Sequence, residues 1–120
     1  MKSKFKKKLT LFVEENGFVT SVLINNKDKS VAYPDIGEEK NRFFQEMISF
    51  FKNNTGENAH ILFYSQDSCV YMLKTNKGVY ICECQRNTSP SQIKMEFNTF
   101  VEDFENQGNF SSLFSTFFDR

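Results

Sequence analysis

The sequence predicts a fold of the α+β class: one antiparallel five-stranded sheet flanked by helices, in the order α-β-β-α-β-β-β-α. Two observations predict it. Five short runs have the length of strands and are rich in β-branched and aromatic residues. Three longer segments carry apolar residues at helical spacing instead. The 120 residues contain no linker or internal repeat, so we expect a single domain over residues 1–120.

The first three elements are a helix and a β-hairpin. Residues 2–16 form the predicted helix, because its apolar positions recur at helical spacing. These positions are Phe5, Leu9, Phe12 and Val13. Residues 18–24 and 30–33 form the hairpin, and the polar residues 25–29 form the turn between its strands.

A longer helix follows at residues 38–52. Its apolar residues form a broad stripe on one face: Phe43, Phe44, Met47, Ile48 and Phe51. Glu38 and Glu39 lie in the first turn and Lys52 in the last, where each charge is favoured by the helix dipole.

The second half of the chain predicts a three-stranded meander and a closing helix. The three strands are residues 60–65, 69–74 and 79–84. Ser89 is expected to cap the helix, with Pro90 in its first position. The apolar face of the helix consists of Ile93, Phe97, Phe100, Val101 and Phe104. Residues 109–120 are a second apolar-faced segment, interpreted either as a partner-binding extension or as a lid over the core.

Composition excludes several functional classes. Fifteen basic residues balance 15 acidic ones, so the chain is not a generally basic nucleic-acid binder. No apolar run reaches the roughly 18 residues needed to span a membrane. No secretory signal follows the N-terminal lysines, and three cysteines are an odd, low number that favours reduced thiols. We therefore expect a cytoplasmic protein.

The residues that most often carry chemistry are few and favour structural roles. Cys82 and Cys84 share one face of a strand, where buried thiols behave as small hydrophobes. His60 is the single histidine and is expected to be exposed at a strand end. Four carboxylates of the closing helix are interpreted as its solvent face: Glu96, Glu102, Asp103 and Glu105. We predict no catalytic residue, cofactor or metal.

The element order resembles that of the roadblock / dynein light chain family, within the roadblock, longin and profilin-like fold group. The resemblance covers residues 2–107. It includes an opening helix that ends in Glu14-Glu15-Asn16-Gly17, the strand 18–24 directly after it, and the long helix before the meander. Members usually carry an Asp-Gly-like turn in the first hairpin, whereas this chain has Asn25-Asn26-Lys27-Asp28-Lys29.

The resemblance implies a non-enzymatic dimer, formed with itself or with a related subunit, that binds a small Ras-like GTPase and regulates or scaffolds it. In such dimers the two sheets join through the third strand and the long helices pack together. The interface would then consist of His60, Ile61, Leu62, Phe63, Tyr64, Phe43, Met47 and Phe51. The sequence of the third strand supports this independently, because no Lys or Pro guards it against pairing with another strand. A strand buried within one subunit is the alternative.

A lysine tract opens the chain: Lys2, Lys4, Lys6, Lys7 and Lys8. Without it, 10 basic residues face 15 acidic ones, so the charge is asymmetric. Lysines on an amphipathic helix attract anionic lipid or an acidic partner, and a peripheral membrane contact is one interpretation. A solvated, frayed terminus is the other.

Three other functions compete with the GTPase platform. The first is a monomeric profilin- or longin-type adaptor for a cytoskeletal or trafficking partner. The second is a membrane- or polyanion-binding module that uses the lysine tract. The third is a thiol enzyme that uses Cys82 and Cys84. Oligomeric state separates the first from the dimeric platform.

Overall fold

The computed structural model describes residues 2–26, 29–54, 56 and 58–106, and it confirms the predicted fold class and element order. Within these residues there are three helices and five strands. They are α1 (Lys2–Glu15), β1 (Val19–Asn26), β2 (Lys29–Tyr33), α2 (Gly37–Asn54), β3 (His60–Tyr64), β4 (Ser68–Lys74), β5 (Val79–Gln85) and α3 (Pro90–Glu105).

The five strands form one antiparallel sheet in the order β2-β1-β5-β4-β3. The three consecutive strands β3, β4 and β5 are neighbours in the sheet. β5 lies at the centre, between β1 and β4. β2 and β3 are therefore the two edges of the sheet. The expectation that the third strand lies at an edge agrees with this order.

The first hairpin differs from the sequence-based prediction. The hairpin is confirmed, but its strands are longer than predicted: β1 continues to Asn26 and β2 begins at Lys29. Asn25 pairs with Ser30 and Asn26 with Lys29. Polar side chains do not prevent strand pairing here, because the ladder is made by backbone groups, which all residues except proline supply.

The two faces of the sheet carry separate apolar cores. α1 and α3 cover one face, where Leu9, Phe12 and Phe97 pack on Tyr71 and Tyr80. α2 covers the other face, where its buried residues Phe44, Ile48 and Phe51 pack on strand residues of opposite parity. These strand residues are Leu23, Val70, Met72, Val79 and Ile81. Because successive strand residues point to opposite faces, nearly continuous apolar strands serve both cores.

Polar contacts fasten α3 to the sheet. The Tyr71 hydroxyl donates to Asn98 Oδ1 at 2.9 Å, and the Tyr80 hydroxyl donates to Glu105 Oε2 at 2.6 Å. Thr75 Oγ1 donates to the same carboxylate oxygen at 2.6 Å. The prediction that Glu105 belongs to the solvent face is therefore wrong. Burial, together with the Glu105 carboxylate, raises the pKa of Tyr80.

Ser89 lies at the N-cap of α3 with extended backbone angles, as the sequence predicts, but its side chain does not cap the helix. Its hydroxyl instead lies 3.0 Å from that of Ser91. Pro90 fills the first position of the helix, where a missing N–H costs nothing.

A partly buried ionic cluster holds the first turn of α2 on its face of the sheet, with Lys40 44% exposed. The Glu83 side chain of β5 is 11% exposed and accepts from Lys40 Nζ at 2.8 Å. Ser21 Oγ of β1 and Ser68 Oγ of β4 donate to the same carboxylate, each at 3.1 Å. Three strands and one helix thus meet at a single carboxylate, and a buried charge is tolerable because it is paired and hydrogen-bonded.

Replacing Lys40 should measurably destabilise the fold. Lys40→Met keeps the length of the side chain but leaves the Glu83 carboxylate with two hydroxyl donors and no cation, so we expect a loss of about 1–2 kcal/mol in the free energy of unfolding. The matched control is Arg42→Met, which removes an exposed pair with Glu38 at 3.8 Å and should cost no more than about 0.5 kcal/mol. Denaturant titration compares them, and equal losses would contradict the role of the cluster.

Candidate protein-interaction surface

β3 presents a free strand edge. The Ser65 N–H donates to the Ser68 carbonyl, and the Lys74 N–H donates to the Ala59 carbonyl. Because hydrogen-bonded positions alternate along an antiparallel strand, the odd-numbered residues from 59 to 65 face β4. The N–H and C=O groups of His60, Leu62 and Tyr64 therefore point away from the sheet, where the described residues form no further strand.

The two edges of the sheet differ in how they resist pairing with another strand. β2 begins with Lys29, ends at Tyr33 and is followed by Pro34, and lysine and proline are the usual guards of an edge. β3 has the sequence HILFY, with neither. Ile61 and Tyr64 are 44% and 47% exposed. β3 is thus the edge that favours an added strand.

α2 also carries exposed apolar side chains. Phe43, Met47 and Phe50 recur at i, i+4 and i+7 and so form one stripe along the helix. Phe43 and Phe50 are 50% and 66% exposed, and Met47 is half-buried. Phe51, predicted for the same interface, lies in the core and is 3% exposed, so it is not available to a partner.

The orientation of α2 places this stripe on the side of β3. Gln45 Nε2 donates to Ser30 Oγ at 3.1 Å, which turns the Gln45 side of the helix toward β2. At 100° per residue, Phe43 and Phe50 lie on the opposite side of the helix from Gln45. That side faces the other edge of the sheet, where Phe63 packs into the same core as Met47.

Together these features form one surface, here called the β3/α2 surface. It consists of the outward backbone groups of His60, Leu62 and Tyr64, the side chains of Ile61 and Phe63, and the stripe Phe43, Met47 and Phe50. Arg86 contacts the Tyr64 end of this surface. Its guanidinium carbon lies 5.2 Å from the centroid of the Tyr64 ring, and its Nε donates to the Ser65 carbonyl at 2.9 Å. It combines backbone donors and acceptors with apolar side chains, which is what strand addition requires.

The cysteines are buried core residues, as the sequence favours. Cys69, Cys82 and Cys84 are 0% exposed and lie in the core under α1 and α3. The sulfurs of Cys82 and Cys84 are 3.3 Å apart. Burial, followed by the hydrogen bond with Cys84, raises the pKa of Cys82. A buried thiol with a raised pKa supplies little thiolate, the reactive species.

The remaining candidate residues do not converge on a site. His60 is exposed at the start of β3, with its ring centroid 6.0 Å from that of Tyr71. Of the lysine tract, Lys7 is exposed and Lys8 half-buried, and the other three lysine side chains lie outside the described residues. Glu102 and Asp103 are exposed on α3, as predicted, whereas Glu96 is half-buried.

Within the described residues, no group of three or more His, Cys, Asp or Glu side chains has the geometry to hold a metal ion. No helix in this part of the chain combines the length and apolar character that crossing a membrane requires.

Comparison with protein-family models yields no matching family, and comparison with curated proteins yields no matching relative. The β3/α2 surface is therefore interpreted from its own geometry and from the resemblance in element order.

The thiols should be inert in the folded protein. We expect the native chain to give no reaction with an aromatic disulfide reagent at pH 8, and all three cysteines to react once it is unfolded in guanidinium. Ser91→Cys, at an exposed position, serves as the control and should react at once. Immediate reaction of Cys82 or Cys84 in the native protein would contradict a purely structural role.

Proposed function

We propose that this protein is a non-enzymatic, dimeric, roadblock-like module that binds a small Ras-like GTPase and regulates or scaffolds it. The observation that carries the proposal is the unguarded edge of β3, together with the exposed apolar stripe of α2 on the side of the helix away from β2. An edge of this kind promotes aggregation unless a partner covers it. A second copy of the chain is the simplest partner that offers the same backbone groups.

The geometry of the edge suits a two-fold pairing centred on Leu62. β3 has five residues, and its outward groups belong to His60, Leu62 and Tyr64, which are symmetric about the middle residue. In an antiparallel pair of copies, Leu62 would face Leu62 of the partner, and His60 would face its Tyr64. Each such pair exchanges two hydrogen bonds, so every outward group of β3 would be satisfied.

The same two-fold axis would bring the helices together. An axis perpendicular to the joined sheet keeps both α2 helices on one face, each with its apolar stripe toward the partner. Phe43, Met47 and Phe50 would then lose their contact with water, and aromatic residues and methionine are favoured at the centres of interfaces. Backbone pairing and apolar burial would therefore occur in one contact.

The GTPase part of the proposal has separate support. The order of helices and strands resembles that of roadblock-type proteins, and β3 and α2, the elements that such proteins use for dimerisation, are the ones exposed here. Fold analogy alone is weak evidence for a partner, so this part requires its own test.

Leu62→Pro tests the dimer. Proline removes the outward N–H of residue 62 and leaves the bonds between β3 and β4 in place, since Leu62 does not donate to β4. The control, Leu62→Ala, loses the same packing but keeps the N–H. We expect a dimeric mass by sedimentation for the wild type and for Leu62→Ala, and a monomer for Leu62→Pro. A wild type that stays monomeric at high concentration would contradict the dimer and favour the monomeric adaptor.

Binding to Ras-like GTPases tests the partner. Immobilised GTPases from the source organism, loaded with GDP or with a non-hydrolysable GTP analogue, should retain the wild type and Leu62→Ala but not Leu62→Pro, because the binding platform needs both copies. A dimer that binds none of them in either nucleotide state would contradict the GTPase assignment and leave the dimer intact.

A further inference from the structure

An apolar groove lies between α1 and α3, on the face of the sheet opposite α2. It has a volume of about 510 Å³. Phe12, Phe100 and Phe104 line it, and the ring centroids of Phe12 and Phe100 are 4.4 Å apart. Leu11 also lines it and is 46% exposed. Because α2 packs on the other face of the sheet, the proposed dimer contact does not use these residues.

The walls of this groove are two helical faces. α1 contributes positions 8, 11, 12, 15 and 16, and α3 contributes positions 96, 99, 100, 103 and 104. Both sets recur at i, i+3, i+4, i+7 and i+8, so each is one continuous face of its helix, roughly 12 Å long. An apolar groove of this shape receives the apolar face of a further helix.

The two helices run antiparallel, and this determines which charges meet at each end of the groove. α1 ends at Glu15, near the start of β1, where Val19 pairs with Cys84 close to the end of β5. α3 begins at Pro90, soon after β5 ends. The end of α1 and the first half of α3 therefore lie together, and Glu15 and Glu96 line the same end of the groove.

This end of the groove is acidic. Glu15 is exposed and Glu96 is half-buried, and neither forms a salt bridge with a described residue. The opposite end is lined by Lys8 and Asp103, whose charges have opposite signs. A ligand that complements these charges is apolar along its length and cationic where it meets Glu15 and Glu96.

We propose that the groove between α1 and α3 binds an amphipathic helix of a partner protein, with a basic residue of that helix facing Glu15 and Glu96. Arginine suits this place best, because its planar guanidinium matches the geometry of a carboxylate. This inference does not depend on the proposed GTPase function, because it concerns the other face of the sheet. Residues 109–120, interpreted from sequence as a partner-binding extension or a lid, lie outside the described residues and take no part in it.

Two synthetic peptides test the site on the full chain. Each is an alanine-rich helix of about 18 residues with leucines at i, i+3, i+4 and i+7. One carries arginines beside the leucines at one end, and its twin carries glutamates there. Titrated into isotope-labelled protein, the arginine peptide should shift the amide signals of Leu11 and Thr99 and leave that of Ile61 unchanged. The glutamate peptide should cause no shifts at the same concentration.

Charge reversal in the protein should reverse this preference. Glu15→Lys combined with Glu96→Lys should weaken binding of the arginine peptide about tenfold at low ionic strength and should allow the glutamate peptide to bind. The control combines Glu46→Lys with Asp67→Lys, at two exposed positions that do not line the groove. It changes the net charge by the same amount and should bind both peptides as the wild type does.

Each of the other results would overturn the proposal. Absence of shifts with either peptide would mean that the groove does not receive a helix, and equal binding of both would mean that the carboxylates do not select the ligand. Shifts at Phe43 or Ile61 would place the peptide on the β3/α2 surface. Without peptide, shifts at Leu11 that grow with protein concentration would assign the groove to a second copy, and shifts caused by Phe114→Asp would assign it to the chain's own residues.

Discussion

The sheet has two edges, and the backbone groups of an edge strand need partners. This constraint organises the molecule. β2 meets it with a lysine at its start and a proline just after its end, and β3 has neither. The outward groups of His60, Leu62 and Tyr64 are left for water or for another chain, while the side chains beside them are apolar. The proposed dimer follows from this imbalance between the two edges.

The position of α2 determines what surrounds the free edge. The Glu83 carboxylate holds Lys40 of the first turn, and Gln45 contacts Ser30 on the opposite edge strand. The burial of Phe44, Ile48 and Phe51 sets the rotation of the helix, and the two polar contacts agree with it. In this rotation Phe43 and Phe50 lie on the side of the helix away from Gln45. A different rotation would bury the same phenylalanines or turn them to the β2 side.

Most of the fold could be predicted from periodicity, because each helix has a clear apolar face and each strand is short and β-rich. The site could be predicted only in part. Phe43, Met47 and Phe51 share one apolar stripe in the sequence, and only the packed helix shows that Phe51 is buried while Phe50 is exposed. Glu83 was not predicted from the sequence, because it lies between Cys82 and Cys84, whose side chains belong to the core on the other face. The strand alternation does indicate its position, because Glu83 shares one face of β5 with Val79 and Ile81, which lie in the core under α2.

The central claim is that the free edge of β3 is covered by a second chain, and amide exchange at the Leu62 N–H tests it most directly. This group points away from β4, and no strand among the described residues of the chain lies on that side to protect it. Residue-resolved hydrogen exchange by NMR should show the Leu62 amide slowing as protein concentration rises, with the amide of Asn76, an exposed residue between β4 and β5, as an unchanging reference. Fast exchange at Leu62 at every concentration, equal to that of Asn76, would contradict the account.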